Sequence, residues 1–223
     1  MSGLEIGVLG FVVLLILLAV RIPIAVAMLT VGLVGYLIIA GHAALLSYLK
    51  GEMYWRFTTF DLSVVPLFVL MGQFAAKAGL SQALFKAANV WLGHYRGGIA
   101  MAAVGGCGGF GAISGSSLAT AATMGQVALP ELKRYNYAGS LATGALAAGG
   151  TLGILIPPSV VLIIYAIMVE ANIVTLFQAA FIPGILAALG YMAAIAIVVR
   201  INPEAGPAGP KATRSEQFLA LLD

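Results

Sequence analysis

The groups best able to do chemistry in this chain are three hydroxyls, Ser114, Ser116 and Ser117, and the backbone carbonyls around Gly153, Pro157 and Pro158. None is charged. A proline has no N–H, so it frees the carbonyl one turn before it. Neutral hydroxyls and freed carbonyls, with no carboxylate among them, form a weak cage of hard oxygens that suits a monovalent cation. Bare half-helix N-termini beside them present positive dipole ends to an anion. Together these features describe a sodium-coupled site for an anionic substrate. The serines could also do no more than cap the two legs of a hairpin.

Both groups lie in an apolar stretch, Gly105 to Ser159, that repeatedly interrupts itself with glycine, serine and a double proline. Helix breakers at membrane depth survive only where protein or a polar cavity re-satisfies the freed backbone groups. Two broken segments facing one another are the best sequence pointer to a transporter's binding site.

A membrane is required by the composition, since 61% of the residues are hydrophobic and 9% charged, with a mean hydropathy of +1.06. The run Leu4 to Val20 is long enough to span and has no small-residue cleavage site after it, so it reads as a retained helix. Ile22 to Ala40 spans back, with Pro23 at its start. Gly41 to Phe60 is mixed and reads as an interfacial segment, Leu62 to Ala76 crosses again, and Leu80 to Tyr95 reads as a second interfacial helix. The division expected is 1–96 as scaffold-type helices, 97–200 as the transport-type region and 201–223 as a polar linker or tail. Its last stretch, Thr213 to Leu222, is a short interfacial helix or part of the linker.

Gly97 to Leu132 is apolar but bracketed by Arg96 and by Lys133-Arg134. A chain that enters the membrane, turns at Ser114 to Ser117 and leaves would put both basic clusters on one face. Legs of roughly 15 residues reach about 22 Å, most of a hydrocarbon core of about 30 Å. A re-entrant hairpin over 97–132 fits. The segment 137–169 should be a helix broken near Gly153 to Pro158, and 173–199 a returning helix. This topology puts nine Lys and Arg on one side and two, Lys50 and Arg56, on the other. That bias makes the first side cytoplasmic, with the N-terminus outside and residues 201–223 inside.

Other patterns carry less. Gly106, Gly108 and Gly111 satisfy G-x-G-x-x-G, but no strand precedes them, so nucleotide binding is rejected. Gly105 and Gly109 suit close helix packing in the hairpin. Ser114-Gly115 has the look of an intramembrane hydrolase nucleophile, yet His42 and His94 both fall in interfacial segments. Cys107 reads as a small buried residue, and Asp61 and Glu170 as carboxylates at helix ends. Tyr54, Trp55, Trp91 and Tyr95 read as interface anchors.

The stretches FGAISGSSLATAATMGQVALPELKRYNY, TLGILIPPSVVLIIYAIM and FQAAFIPGIL, supported by RIPIAVAM and VVPLFVLMGQFA, resemble the large membrane subunit of TRAP transporters. These are the tripartite ATP-independent periplasmic uptake systems. The resemblance implies an all-α integral membrane protein of the bacterial inner membrane, half of an elevator-type transporter for C4-dicarboxylates or other organic acids such as sialic acids. It implies three partners: a periplasmic substrate-binding protein, a small membrane subunit and a second half of the large subunit. Lipid surrounds them, and no nucleic acid is involved. Carried over by motif position, the sodium ligands would be Ser114 and Ser117 with the backbone of Gly153, Ile156 and Pro157. Ser116, Pro158 and Ser159 are assigned to the substrate.

Family members have two such halves in inverted repeat, and this sequence holds one, so a complementary half is expected on another chain or in a longer protein. A channel or pore subunit is the alternative reading, and an intramembrane hydrolase a third.

Overall fold

In a computed structural model, the structure describes residues 3–58, 63–212, 217 and 220. Asp61, the side chains of Trp55 and Arg56, and most of the segment expected over Thr213 to Leu222 lie outside the described residues. Every regular element among the described residues is helical. Two compact units emerge, Met1–Leu62 and Ser63–Asp223.

The first unit pairs α1 (Gly3–Ala19) with α2 (Ile24–Thr58). Pro23 precedes α2, where its missing N–H costs nothing and its carbonyl accepts from Val26 and Ala27. Gly41, at φ 79° and ψ 170°, interrupts α2 where the sequence turns from uniformly apolar to mixed. Leu9, Phe11, Ile16, Leu29 and Ile39 are among the many large apolar side chains left exposed here. Water-soluble monomers rarely leave such a surface uncovered, and lipid suits it as a solvent.

The second unit contains α3 (Val64–Lys77), α4 (Leu80–Leu92), α5 (Gly98–Ser114), α6 (Ser117–Arg134), α7 (Gly139–Leu155), α8 (Val160–Met168) and α9 (Ile173–Ile201). α3 and α4 are bent by 63° at Gly79, and α7 and α8 by 42° at the double proline. Among the described residues, α2 up to Gly51 and α9 are each long and apolar enough to cross a membrane, and each bent pair passes the same test as one span.

α5 and α6 are the two arms of the hairpin. Antiparallel packing is fixed by side chains equally far from the tip, since Met124 of α6 lies over Gly106 of α5. α7 fills the groove between the arms. Gly149 faces Cys107 and Val104 of α5, and Gly150 faces Ala121 of α6. A methyl group at either glycine would overlap its neighbour, so the absence of side chains is what lets three backbones approach. Gly105 and Gly109 also permit close packing, but against Ala88 and Leu84 of α4 and Met192 of α9, not against the other arm.

Packing adds to two sequence expectations. α4 was expected to be a second interfacial helix. Its apolar face is covered by protein: Phe85, 5% exposed, joins the core formed with α5, and Leu84, Ala88 and Leu92 pack against it. An amphipathic helix reports that one face must be covered, but not whether lipid or protein covers it. The segment after α9 was expected to be a polar linker or tail. Its residues 203–209 strap the bundle: Gly97 N–H donates to Gly206 O (2.9 Å), Ala138 N–H to Ala205 O (2.9 Å) and Gly209 N–H to Gly93 O (2.8 Å). Backbone donors just before α5 and α7 need acceptors, and the strap supplies them.

Short helix connections close in a common way. Asn136 and Glu170, both at positive φ, follow α6 and α8. Tyr137 N–H reaches back to Leu132 O and Ala171 N–H to Ala166 O, which satisfies carbonyls that the helix ends leave open. Glu170 is exposed at its helix end, as expected.

Candidate functional site

Hairpin tip and helix break meet. α5 ends at Ser114, Gly115 takes the left-handed conformation at φ 60°, and α6 starts after Ser116. The break runs from Ile156 to Ser159, with a cis peptide between Pro157 and Pro158. Gly153 stays inside α7, one turn before the break, so the helix unwinds later than its glycines suggested. The prolines are the cause. In an α-helix Gly153 C=O would accept from residue 157 and Ile154 C=O from residue 158, and neither proline has an N–H to give. Two peptide carbonyls are thereby left without their helical donors.

The contact itself is backbone on backbone. A methyl placed on Gly153 would lie 2.8 Å from Ser116 O and 2.6 Å from Thr120 Oγ1, and one on Gly111 would lie 2.7 Å from Gly153 Cα. At the other end of the break, Val160 N–H donates to Gly115 O at 3.4 Å, and the Cβ position of Gly115 is 3.2 Å from Pro158 O. α3 reaches the same place, with the Cβ position of Gly72 at 3.1 Å from Ser114 Cα.

The hydroxyls divide by role. Ser116 is the N-cap of α6, accepting from Ala119 N–H at 3.4 Å, and Ser159 is the N-cap of α8, accepting from Leu162 N–H at 3.5 Å. Their backbones are nearly the same, φ −133° and ψ 122° against φ −131° and ψ 128°. Two half-helix N-termini, each with its positive dipole end, therefore start at the two sides of one junction. Ser114 is 3% exposed, and its hydroxyl shares a 2.8 Å hydrogen bond with that of Thr120, which is fully buried. A hydroxyl that donates its proton keeps two lone pairs, so this pair still presents oxygen to a cation.

The structure thus brings Ser114, Ser116, Gly153, Pro158 and Ser159 to one junction. Ser117 is half-buried in the first turn of α6. Ile156 sends its side chain toward Gly108 on one side and Gly184 of α9 on the other, where it acts as a strut. Pro157 and Pro158 together line a cavity with Phe177, Gln178, Phe181 and Ile182 of α9. Thr120 was missed. Its signal was positional, one turn into α6 from Ser116, on the face that meets the break.

The hydrolase reading finds no support in this arrangement. His94 is in the turn before α5, and 17 helical residues span about 25 Å from there to Ser114. No three His, Cys, Asp or Glu side chains cluster among the described residues, so the groups offered at the junction are hydroxyls and peptide carbonyls.

Apolar helices with lipid-like exposure, a helical hairpin and a broken helix that meets its tip define a multi-pass membrane protein built around an internal polar junction. The chain belongs to the family of the DctM component of tripartite ATP-independent periplasmic transporters, whose model matches residues 11–220. It is 41% identical over 157 residues to the C4-dicarboxylate TRAP transporter large permease protein DctM of Pseudomonas aeruginosa, covering 70% of this chain and 36% of that protein. It is 35% identical over 166 residues to the sialic acid TRAP transporter permease protein SiaT of Haemophilus influenzae, 74% of this chain and 26% of that protein. To the ectoine TRAP transporter large permease protein TeaC of Halomonas elongata it is 28% identical over 205 residues, 92% and 48%. The matched region is between about a quarter and a half of these relatives' length. The family consists of transport subunits and not enzymes.

Proposed function

We propose that this chain is part of the membrane permease of a sodium-coupled importer of organic acid anions in a bacterial inner membrane. The junction of hairpin tip and helix break supports this reading best, because it gathers neutral oxygens beside two helix N-termini. Sodium is held by Ser114 and Ser117 with the backbone of Gly153, Ile156 and Pro157, and Thr120 joins them through its bond to Ser114. Ser116, Pro158 and Ser159 face the anion. C4-dicarboxylate, sialic acid and isethionate, named for relatives of this chain, are organic acids.

In this reading a periplasmic binding protein delivers the substrate, a small membrane subunit completes the permease, and a second half of the large subunit closes the site. Residues 97–200 belong to the moving part of the elevator, the N-terminus is outside and 201–223 inside. Moving one net positive charge inward yields about 2.3 kcal/mol per 100 mV. A tenfold ratio needs about 1.4 kcal/mol, so one charge sustains accumulation of roughly 40-fold without ATP.

Ser117 is the residue to test, since it is only half-buried and its loss disturbs folding less than loss of Ser114. In the assembled transporter, Ser117→Ala should raise the sodium concentration for half-maximal uptake, with the rate recovered at excess sodium. Unchanged sodium dependence with weakened substrate affinity would give the serine to the substrate instead. Sodium-independent, non-concentrative flux would support a pore.

A further inference from the structure

The turn between α4 and α5 and the last turn of α9 enclose a cavity of about 460 Å³ lined by Tyr95, Arg96, Met101, Ala196, Val199 and Arg200. It lies at the far end of α5 from the tip. Its volume is within the usual range of small-ligand sites, about 300–1,000 Å³. Arg96 and Arg200, both exposed, line this one cavity, and among the described residues neither pairs with a carboxylate. Arg134, also on the basic face of the hairpin, pairs with Glu131 at 3.6 Å. An anion seated in this cavity would be attracted by both side chains.

Depth and lining narrow the choice of anion. α9 has 29 residues, about 44 Å, which matches a bilayer of about 40–45 Å with its headgroups. Arg200 in its last turn therefore stands at headgroup level. Tyr95, 56% exposed, has the place of an interfacial aromatic ring. Beside the arginines the cavity is lined by Met101, Ala196 and the buried Val199, and Ile197 and Ile201 of the same helix end are exposed. A free anion would satisfy the arginines and leave Ile197 and Ile201 uncovered. An acyl-bearing phosphodiester satisfies both, because guanidinium forks match phosphate oxygens and the chains cover the apolar side chains.

We propose that this cavity is a headgroup site for an anionic phospholipid, held by Arg96 and Arg200. Basic pockets between membrane helices bind such headgroups on the positively charged face. The site is independent of the sodium junction and of which substrate is carried.

The test is native mass spectrometry of the purified chain in detergent, titrated with dioleoylphosphatidylglycerol and with dioleoylphosphatidylcholine. Phosphatidylglycerol should be retained preferentially. The double variant Arg96→Gln/Arg200→Gln should weaken its binding on the order of tenfold or more, while Arg134→Gln leaves it unchanged. Should that double variant fail to fold by circular dichroism, Arg96→Lys/Arg200→Lys keeps both charges but not the planar forks and should bind with intermediate affinity. Equal retention of the two lipids would overturn the proposal, as would full binding by either double variant or an equal loss in Arg134→Gln. Displacement of phosphatidylglycerol by an equal concentration of inorganic phosphate would assign the cavity to a free anion and overturn the lipid assignment.

Discussion

Substituting Gly153 by alanine tests the junction most directly. In an exposed helix the change would stabilise by about 1 kcal/mol, because glycine is the poorer helix former. At this position the new methyl would stand 2.6 Å from Thr120 Oγ1, 2.8 Å from Ser116 O and 3.0 Å from Ser116 C. The Thr120 side chain can rotate, but the Ser116 carbonyl is fixed by the hydrogen bond it accepts from Thr120 N–H at 3.0 Å. Relief therefore requires the tip to move off α7, and overpacking of this kind costs about 1–3 kcal/mol. Gly144→Ala is the control: it lies on the same helix with nothing within 4 Å of its Cβ position, so only the propensity gain applies. The two variants should differ by about 1–3 kcal/mol. At roughly 2–4 °C per kcal/mol for a chain of this size, thermal unfolding in detergent should separate them by several degrees, Gly153→Ala lower. Stabilisation by added sodium should shrink in Gly153→Ala and stay intact in Gly144→Ala. Equal unfolding temperatures, with equal responses to sodium, would show that tip and break do not touch as described.

Three further outcomes are expected. Ser114→Ala leaves the Thr120 hydroxyl buried without its partner and should destabilise by about 1–3 kcal/mol, and Ser114→Ala/Thr120→Val should cost less than the sum of its parts; strict additivity in chemical denaturation would deny the hydrogen bond. Tyr137→Phe removes the oxygen that accepts from Ile99 N–H at 3.2 Å at the start of α5 and should cost about 1 kcal/mol in the same assay. Arg96→Cys and Arg134→Cys, each in a Cys107→Ala background, should react with an impermeant thiol reagent from the inside only, and labelling from opposite faces would end the re-entrant topology.

The hairpin turn was legible because Ser-Gly-Ser-Ser concentrates left-handed tolerance and capping oxygens at one point of an apolar run, and the structure turns at Gly115. The break was legible for a reason just as local, since Pro157 and Pro158 cannot donate whatever surrounds them. Its onset was not, because Gly153 looked like part of the break. In fact this glycine is there for close approach to Ser116 and keeps helical geometry. Thr120 was hidden for the converse reason: in LATAATMG it passes for helix filler, and only the fold shows that its face meets Ser114. The strap over 203–209 was illegible because Pro/Gly-rich composition describes a segment without regular structure, and such a segment can still find donors at helix ends.

The glycines and the hydroxyls have linked roles. Gly111, Gly149, Gly150 and Gly153 remove the side chains that would hold α7 away from the hairpin, so that two arms and a half helix pack backbone against backbone. Tip and break then meet through glycine contacts and a long hydrogen bond, Val160 N–H to Gly115 O at 3.4 Å. Such contacts are close, but each contributes little dispersion energy because few atoms are involved. On the proposed reading, a sodium ion taking oxygens from both sides would be the strongest link across this junction, and part of its binding energy would go into stiffening it. The same geometry explains why one methyl group at Gly153 should weaken the response to sodium without removing any ligand atom.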